Sequence, residues 1–357
     1  MRVELRALTG IRAFAAIGVV LFHLVGHFPN SLGSDSILIK MTAFGSNGVD
    51  LFFMLSGFII TYSYTVEFQS FTWFTYRHFL YKRLSRIYPA HLFALGLLVM
   101  LGIALFITGR DITSLGPVTD LVQEVLMVNN WNPWDVRLSW NAPNWSISAE
   151  WSAYLLFPLL LVLVRSIPRR FLFLLVALLP LLMVLSYRLG RAEFGPVRIM
   201  TEFTCGIALY YIWQAMSPNL LWSQIGLLCA IIYIPIGILL GIAGINVRWE
   251  IILVPPLLLS LALNTGSVTR FFARPLPEYL GRVSYSLYIT HFPVILGTRF
   301  IFLNPLVKNS LLLTTIFVLG EIVLVYMLAH FTYHRVEEPS RKWLTSITQR
   351  KFARTTV

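Results

Sequence analysis

The chain has 357 residues, of which 57% are hydrophobic and 12% are charged, and its mean hydropathy is +0.73. Because about a quarter of the residues in a soluble domain are charged, this composition excludes an ordinary water-soluble fold. The formal net charge of +12 comes from Lys and Arg residues that gather between apolar runs, a pattern that signals membrane orientation and argues against nucleic acid as a partner.

Apolar runs of roughly bilayer-spanning length recur along the chain. They predict an all-α, polytopic integral membrane protein with about ten transmembrane helices. We predict one domain over residues 1–345, followed by a basic tail over 346–357. The first run contains charge and no small-residue cleavage site follows it, so it is expected to remain as a helix. The runs lie near residues 10–28, 47–65, 90–108, 147–164, 170–187, 199–214, 222–242, 249–264, 285–303 and 310–331.

The two sides of this predicted bundle differ in their content of Lys and Arg. The termini and the alternate loops on their side carry more of these residues than the loops opposite, and such a bias is typical of cytoplasmic loops. We therefore predict cytoplasmic termini and an external connection over 109–146. Aromatic residues in that connection favour an interfacial belt, with a sugar-stacking surface as the alternative. Its Trp and Asn residues are Trp131, Trp134, Trp140, Trp145, Asn129, Asn130, Asn132, Asn141 and Asn144.

The first apolar run, LTGIRAFAAIGVVLFHLVGHF, carries Arg12, His23 and His27. Each is costly inside a membrane unless it meets water, a partner or a ligand. The spacing of Arg12 and His23 is about three helical turns, so they share one face about 16 Å apart. We predict that they line one channel. A neutral imidazole can accept a proton from a hydroxyl, and an arginine can clamp a phosphate or carbonyl oxygen.

Two carboxylates follow in apolar surroundings. Asp50 lies in GVDLFFMLSGF, and we expect it to pair with a cation such as Arg12 or His23, or to be protonated. Glu150 lies in the first turns of a helix within NWSISAEWSAYLLFP. A glutamate there is either a partner of the helix dipole or, if it faces a cavity, a group that orients an imidazole or relays protons.

Basic and hydroxyl residues cluster beside two later helices. Arg83 and Arg86 in YKRLSRIYPAH share a helix face, where they either anchor the cytoplasmic end or hold an anionic cofactor. The segment LGRVSYSLYITH, placed before the ninth helix, gathers Arg282, Ser284 and His291. The charged EEPSR segment, 337–341, is predicted to end the last helix.

In this order the motifs resemble the membrane acyltransferase family 3, the O-acyltransferases of bacterial surface polysaccharides. The resemblance runs from Leu5 to about Trp343. It implies ten core helices that take an acyl group, commonly acetyl from cytoplasmic acetyl-CoA, and deliver it to a glycan hydroxyl. The motifs are the Arg12–His23 element, GVDLFFMLSGF, RLSRIYP, WSISAE, GRVSYSLYITH and EEPSR.

The resemblance also implies roles for individual residues. His23 matches the catalytic histidine, Arg12 its donor-binding or activating partner, and Arg83 and Arg86 match positions that meet the CoA phosphates. Many relatives have a second glutamate where this chain has Trp151, so Glu150 is expected to act alone. The predicted catalytic residues are Arg12, His23, Asp50 and Glu150, and the predicted donor-binding residues are Arg83, Arg86, Arg282, Ser284 and His291.

The resulting hypothesis is an O-acetyltransferase of the bacterial inner membrane that uses acetyl-CoA and no metal. Its acceptor would be a glycan or lipid-linked oligosaccharide, and membrane lipid and polysaccharide-assembly proteins would be its partners. No hydrolase-like domain is appended, which favours members that decorate exopolysaccharides, capsules or lipid-linked sugars. Direct transfer and a transient acyl-histidine both remain open. The alternatives are a proton-coupled glycan or lipid transporter and a non-catalytic scaffold.

Overall fold

A computed structural model describes residues 4–27, 42, 44–110, 112–132, 138–188, 195–243 and 248–353. Within these ranges all regular secondary structure is helical and no strand occurs, which confirms the all-α prediction. Trp134 and the last four residues of the predicted basic tail lie outside the described residues.

Fourteen α-helices lie within the described residues. Additional single-turn 3₁₀ segments occur at Val25–His27, Phe44–Asn47, Thr113–Leu115, Ala142–Asn144 and Trp249–Leu253. The α-helices are α1 Arg6–Leu24, α2 Gly48–Tyr64, α3 Trp73–Ile107, α4 Asp120–Leu126, α5 Trp145–Arg165, α6 Arg169–Arg188, α7 Gly195–Gln214, α8 Leu220–Ile242, α9 Val254–Ala262, α10 Gly266–Phe272, α11 Pro275–Phe302, α12 Pro305–Lys308, α13 Leu311–Thr332 and α14 Glu338–Ala353.

Among the described residues, six stretches are long and apolar enough to cross a membrane. A seventh is counted if Trp249–Ala262 and Gly266–Phe272, which meet at 81°, form one bent span. The chain is therefore a multi-pass membrane protein, while ten crossings remain a prediction. The six stretches are Arg6–His27, Phe44–Tyr64, Trp73–Ile107, Ala142–Arg165, Leu220–Ile242 and Leu311–Ile347.

Two helix pairs organise the bundle: α1 lies along α11, and α2 packs against α7. Small residues allow the second pair to approach closely, as expected where helices pack by van der Waals contact. A Cβ atom on Gly57 would meet the carbonyl oxygen of Phe203, and one on Gly206 would meet that of Met54. Both obstacles are backbone atoms that cannot rotate away, so these two positions require glycine.

We expect Gly206→Ala to destabilise the protein by about 1–3 kcal/mol, because the added methyl group would force α2 and α7 apart. The measurement is the thermal unfolding midpoint of the purified protein in one detergent. Gly297→Ala is the matched control, since a Cβ there would meet nothing within 4 Å. Equal midpoints for the two variants would contradict the close-packing account.

Helix α3 begins at Trp73, well before the apolar run predicted from residue 90. Thr72 caps it by accepting a hydrogen bond from the backbone N–H of Thr75 at 3.0 Å, and the polar turns that follow extend the helix beyond its apolar part. It continues through Pro89, as membrane helices can when neighbours support the backbone. Apolar runs therefore detect the lipid-facing length of this helix and miss its polar extension.

Two further helix limits differ from the sequence prediction. Helix α11 begins at Pro275, so LGRVSYSLYITH lies inside it rather than before it. The EEPSR segment does not end the last helix, because α13 continues through a π-helical turn, Tyr333–Glu337, into α14. Pro339 is the second residue of α14, where a missing backbone N–H costs nothing. The predicted domain limit at residue 345 falls within α14.

The connection before α5 folds inward. Nδ2 atoms of Asn129 and Asn144 donate to the two carboxylate oxygens of Glu124 at 3.0 and 2.8 Å, and Asn141 donates to the carbonyl of Ile289 at 3.1 Å. Burial raises the pKa of Glu124 to about 8. The amide donors of these three buried asparagines are used within the protein, which favours a structural role for them, and the sugar-binding alternative stays a prediction.

Candidate active site

A cavity lies among α1, α2, α3, α5 and α11. Its lining combines apolar side chains with hydroxyl, guanidinium and carboxylate groups. Ligand sites commonly combine an apolar wall with a few convergent polar groups. The polar lining residues are Arg12, Ser56, Arg83, Arg86, Ser146, Glu150, Tyr154, Tyr285 and Tyr288, and the apolar ones are Val49, Phe52, Phe53, Leu55, Ile59, Ile60, Ile87 and Ile147.

Two cavity arginines have no partner within the described part of the protein. The guanidinium of Arg12 lies 5.9 Å from the ring of Phe52, and neither Arg12 nor Arg86 forms a hydrogen bond or an ion pair with a described residue. Arg83 donates from Nη2 to the hydroxyl of Tyr64 at 2.9 Å, and its buried Nε has no partner among the described atoms. Partly buried cations without partners are costly, which indicates a site for an anionic or polarised oxygen ligand.

Glu150 lies on the same cavity and is held by two hydroxyl groups. Ser56 and Tyr154 both donate to its Oε1, at 2.8 and 2.6 Å. Of the two alternatives left open for Glu150, the geometry favours the one in which it faces a cavity. These two bonds fix the carboxylate between α2 and α5, in the cavity that Arg12 also lines.

His23 lies outside the residues that line the described cavity. Its Nδ1 is 2.9 Å from the carbonyl oxygen of Val19, and since a carbonyl only accepts, Nδ1 carries the proton and the neutral ring keeps a free lone pair on Nε2. Arg12 therefore lines the described cavity and His23 does not, and a channel shared by the two residues stays a prediction.

His291 lies beside His23, with ring centres 5.0 Å apart. Nδ1 of His291 donates to the carbonyl of Tyr288 at 2.5 Å, and its buried Nε2 has no partner among the described residues. Tyr288 connects this pair to the cavity, because it lines the cavity and its ring centre lies 5.8 Å from that of His291. Sequence reasoning missed this link, whose only signal is the spacing of Tyr288 and His291 on one helix face.

Asp50 does not pair with Arg12 or His23. It accepts hydrogen bonds from Arg198 at 2.8 and 2.5 Å and from Arg248 at 3.1 Å, and it does not line the described cavity. Its partners lie 148 and 198 positions further along the chain, which is why the sequence pattern pointed to nearer cations. The expectation of a cationic partner is correct and the predicted identity of that partner is wrong.

Two predicted donor-binding residues lie apart from the cavity. Arg282 is half exposed and pairs with Glu278 at 2.8 Å, while the buried hydroxyl of Ser284 donates to the carbonyl of Gly281 at 2.8 Å. Neither contributes to the cavity surface of the described chain, and the same holds for His291.

A second concavity, which we call the basic groove, adjoins the cavity at Arg83 and Arg86. Its empty volume is about 840 Å³. It lies between α3 and α14, and no acidic residue is among its described lining residues. The groove is lined by Tyr64, Lys82, Arg83, Ser85, Arg86, Arg341, Lys342, Thr345 and Ser346.

A multi-pass helical bundle that holds unpaired arginines and a carboxylate around a cavity is a membrane protein with a built-in ligand site. A family model described as an acyltransferase domain matches residues 5–330. The chain belongs to this family, which confirms the resemblance to membrane acyltransferase family 3.

Individual relatives agree with this family. Acyltransferase MdmB of Streptomyces mycarofaciens is 36% identical over 171 residues, covering 47% of this chain and 42% of that protein. O-acetyltransferase OatA of Staphylococcus aureus (strain NCTC 8325 / PS 47) is 27% identical over 95% of this chain and 57% of that protein. A putative O-acetyltransferase of Staphylococcus aureus (strain COL) is 25% identical over 94% of this chain and 57% of that protein. The chain spans about half the length of these curated relatives, and no solved structure matches it.

Proposed function

We propose that this protein is a membrane-bound O-acetyltransferase that moves an acetyl group from acetyl-CoA to a hydroxyl of a surface or exopolysaccharide sugar, or of its lipid-linked precursor. Acyl transfer is supported by the family match, and the acetyl group by relatives named O-acetyltransferases. One observation carries the proposal: Arg12 and Arg86, unpaired within the described chain, face a cavity that adjoins a basic groove.

The proposal includes ten membrane crossings in the bacterial inner membrane with both termini in the cytoplasm. The distribution of Lys and Arg supports this orientation. It places the basic groove on the cytoplasmic side, since α14 forms the C-terminal end of the described chain. A donor made in the cytoplasm would then meet the groove first.

The shape of acetyl-CoA matches the two concavities. Its nucleotide end carries phosphates, which arginines bind through paired donors, and its pantetheine arm is a long, mostly uncharged chain. In our proposal the phosphates lie in the basic groove beside Arg83 and Arg86, and the arm extends into the cavity toward Arg12. The thioester then reaches His23 past the ring of Tyr288.

At the thioester, His23 is the proposed base, because its Nε2 lone pair is free. In direct transfer, Nε2 takes the proton of the acceptor hydroxyl as the hydroxyl oxygen attacks the carbonyl carbon, the C–S bond breaks, and the proton passes to the CoA sulfur. In the covalent route, Nε2 attacks the carbonyl first, CoA leaves as thiolate, and the acceptor oxygen then displaces the imidazole while the hydroxyl proton passes to the thiolate. Both routes end in a sugar ester and CoA thiol.

The remaining predicted residues fit this proposal less directly. Glu150 would orient or relay a proton within the cavity, and Asp50 would act by holding α2 through its arginine partners. His291, adjacent to His23, would position the reacting groups. Arg282 and Ser284 would contribute to the donor site only through the helix that carries them.

We expect Arg86→Ala to weaken acetyl-CoA binding by about tenfold or more, because a charge-assisted hydrogen bond to phosphate is worth about 1.5–3 kcal/mol. Arg83→Ala should have a similar effect. Affinity is measured by titrating acetyl-CoA into the purified protein, with Arg77→Ala as control, since Arg77 is exposed on the same helix outside both described concavities. Unchanged acetyl-CoA affinity in both variants would contradict donor binding and leave these arginines only the role of orienting the helix in the membrane.

The proposed activity is tested with the purified protein in liposomes, acetyl-CoA labelled in the acetyl group, and a candidate glycan or lipid-linked oligosaccharide. Label that appears on the glycan as a base-sensitive ester supports the proposal. Movement of unmodified glycan across the liposome membrane without ester formation would support the transporter alternative instead.

A further inference from the structure

Helix α14 forms one wall of the basic groove, although it lies beyond residue 330, where the match to the acyltransferase family ends. Arg341 and Lys342 face the groove from α14. They stand opposite Lys82, Arg83 and Arg86 on α3. The groove thus brings together cations from two separate parts of the chain.

We propose that α14 completes the donor site, with Arg341 and Lys342 binding the phosphates at the nucleotide end of CoA. This inference rests on the proposed function and deepens it. A nucleotide carrying a 3′-phosphate and a pyrophosphate presents several negative charges over a length that one pair of arginines on α3 does not cover. Cations on both walls match this charge distribution.

The position of α14 is defined by contacts with α3. The hydroxyl of Tyr81 donates to the carbonyl of Leu344 at 3.2 Å, and the two helices pack side by side. Glu337, in the turn before α14, accepts a hydrogen bond from Ser286 on α11 at 2.6 Å. These contacts tie α14 to α3 and the turn before it to α11.

The carboxylate of Glu338 partly neutralises the cations that α14 contributes to the basic groove. Glu338 pairs with Arg341 at 2.5 Å and with Lys342 at 3.2 Å, and the side chains of the two cations are 44% and 73% exposed. Such exposed pairs are weak, so a phosphate can replace the carboxylate as partner. Removing the charge of Glu338 should therefore strengthen donor binding, whereas removing the cations should weaken it.

The test measures binding of CoA, dephospho-CoA and pantetheine to the full chain in nanodiscs of phosphatidylcholine, by titration calorimetry. We expect Arg341→Ala with Lys342→Ala to weaken CoA binding about tenfold, to weaken dephospho-CoA less, and to leave pantetheine, which has no phosphate, unchanged. Glu338→Gln should tighten CoA binding about twofold to threefold. Arg335→Ala is the control, because this exposed arginine precedes α14 and does not line the groove within the described chain.

Unchanged CoA affinity in the double variant would overturn the inference, as would an equal loss for pantetheine, which would indicate a damaged groove. A second arm adds phosphatidylglycerol to the nanodiscs. If the double substitution abolishes binding of this lipid while CoA binding stays intact, the groove is a lipid headgroup site and the inference fails. Binding is measured without transfer, so a chain that binds CoA through α14 but acetylates no acceptor refutes the proposed function alone.

Discussion

Substitution of His23 by alanine should lower acetyl transfer by at least about 100-fold, because general base catalysis contributes about 10²- to 10⁴-fold. The acetyl-CoA affinity should change little, since the groove and cavity that would bind the donor do not include His23 among their described residues. The readout is ester formation on the glycan together with donor affinity, both measured on protein that elutes as a single species.

His27→Ala is the comparison for this experiment. His27 lies one helical turn beyond His23, where its Nε2 is 3.8 Å from Glu321 and its ring packs on Phe302. It should retain most of the activity. Full activity in His23→Ala would refute the catalytic assignment, and equal losses in both variants would show that the outer end of α1, rather than one imidazole, is required.

Removing the carboxylate of Asp50 should destabilise the protein by about 3–5 kcal/mol, since buried Arg198 loses its closest hydrogen-bonded counter-charge and keeps the longer ion pair with Glu202 at 3.7 Å. Arg198 is 4% exposed and Asp50 is fully buried. Unfolding of Asp50→Ala in detergent is followed by the thermal midpoint, alongside acetyl transfer at a temperature where the variant remains folded. We expect the midpoint to fall and the residual activity of the folded fraction to persist.

The double variant Asp50→Asn with Arg198→Gln provides the control for charge. Replacing both partners by neutral groups of similar shape should recover part of the lost stability, as interaction energies between contacting residues predict. A stable Asp50→Asn protein without any activity would contradict this structural account and return Asp50 to the chemistry.

The helical architecture was predictable because lipid imposes long apolar runs, and such runs are visible in one sequence. The polar beginnings of α3 and α11 were not predictable from apolar runs. The charged turns there are helical, but they lack the apolar residues by which a membrane helix is detected. The continuation past Pro339 was missed for a related reason: a proline ends a helix in its interior but is tolerated in the first turn of the next one.

For the candidate site too, the sequence predicts the features that depend on local spacing and misses those that depend on the packing of distant helices. Arg83 and Arg86 could be assigned to one face from their spacing alone, and the structure places both on the same two concavities. The partners of Asp50 and the position of His291 beside His23 depend on how distant helices pack, and no local spacing encodes that. The roles of these residues in catalysis and donor binding stay predictions.

The unpaired guanidinium groups of Arg12 and Arg86 have a thermodynamic consequence for the protein as a whole. In the unliganded state the fold bears the cost of holding two cations without a directly hydrogen-bonded or ion-paired carboxylate among the described residues. A ligand that binds only the folded protein adds about 2.7 kcal/mol of stability at a concentration one hundred times its dissociation constant. The supply of an anionic ligand would thus govern how long the folded protein persists in its membrane.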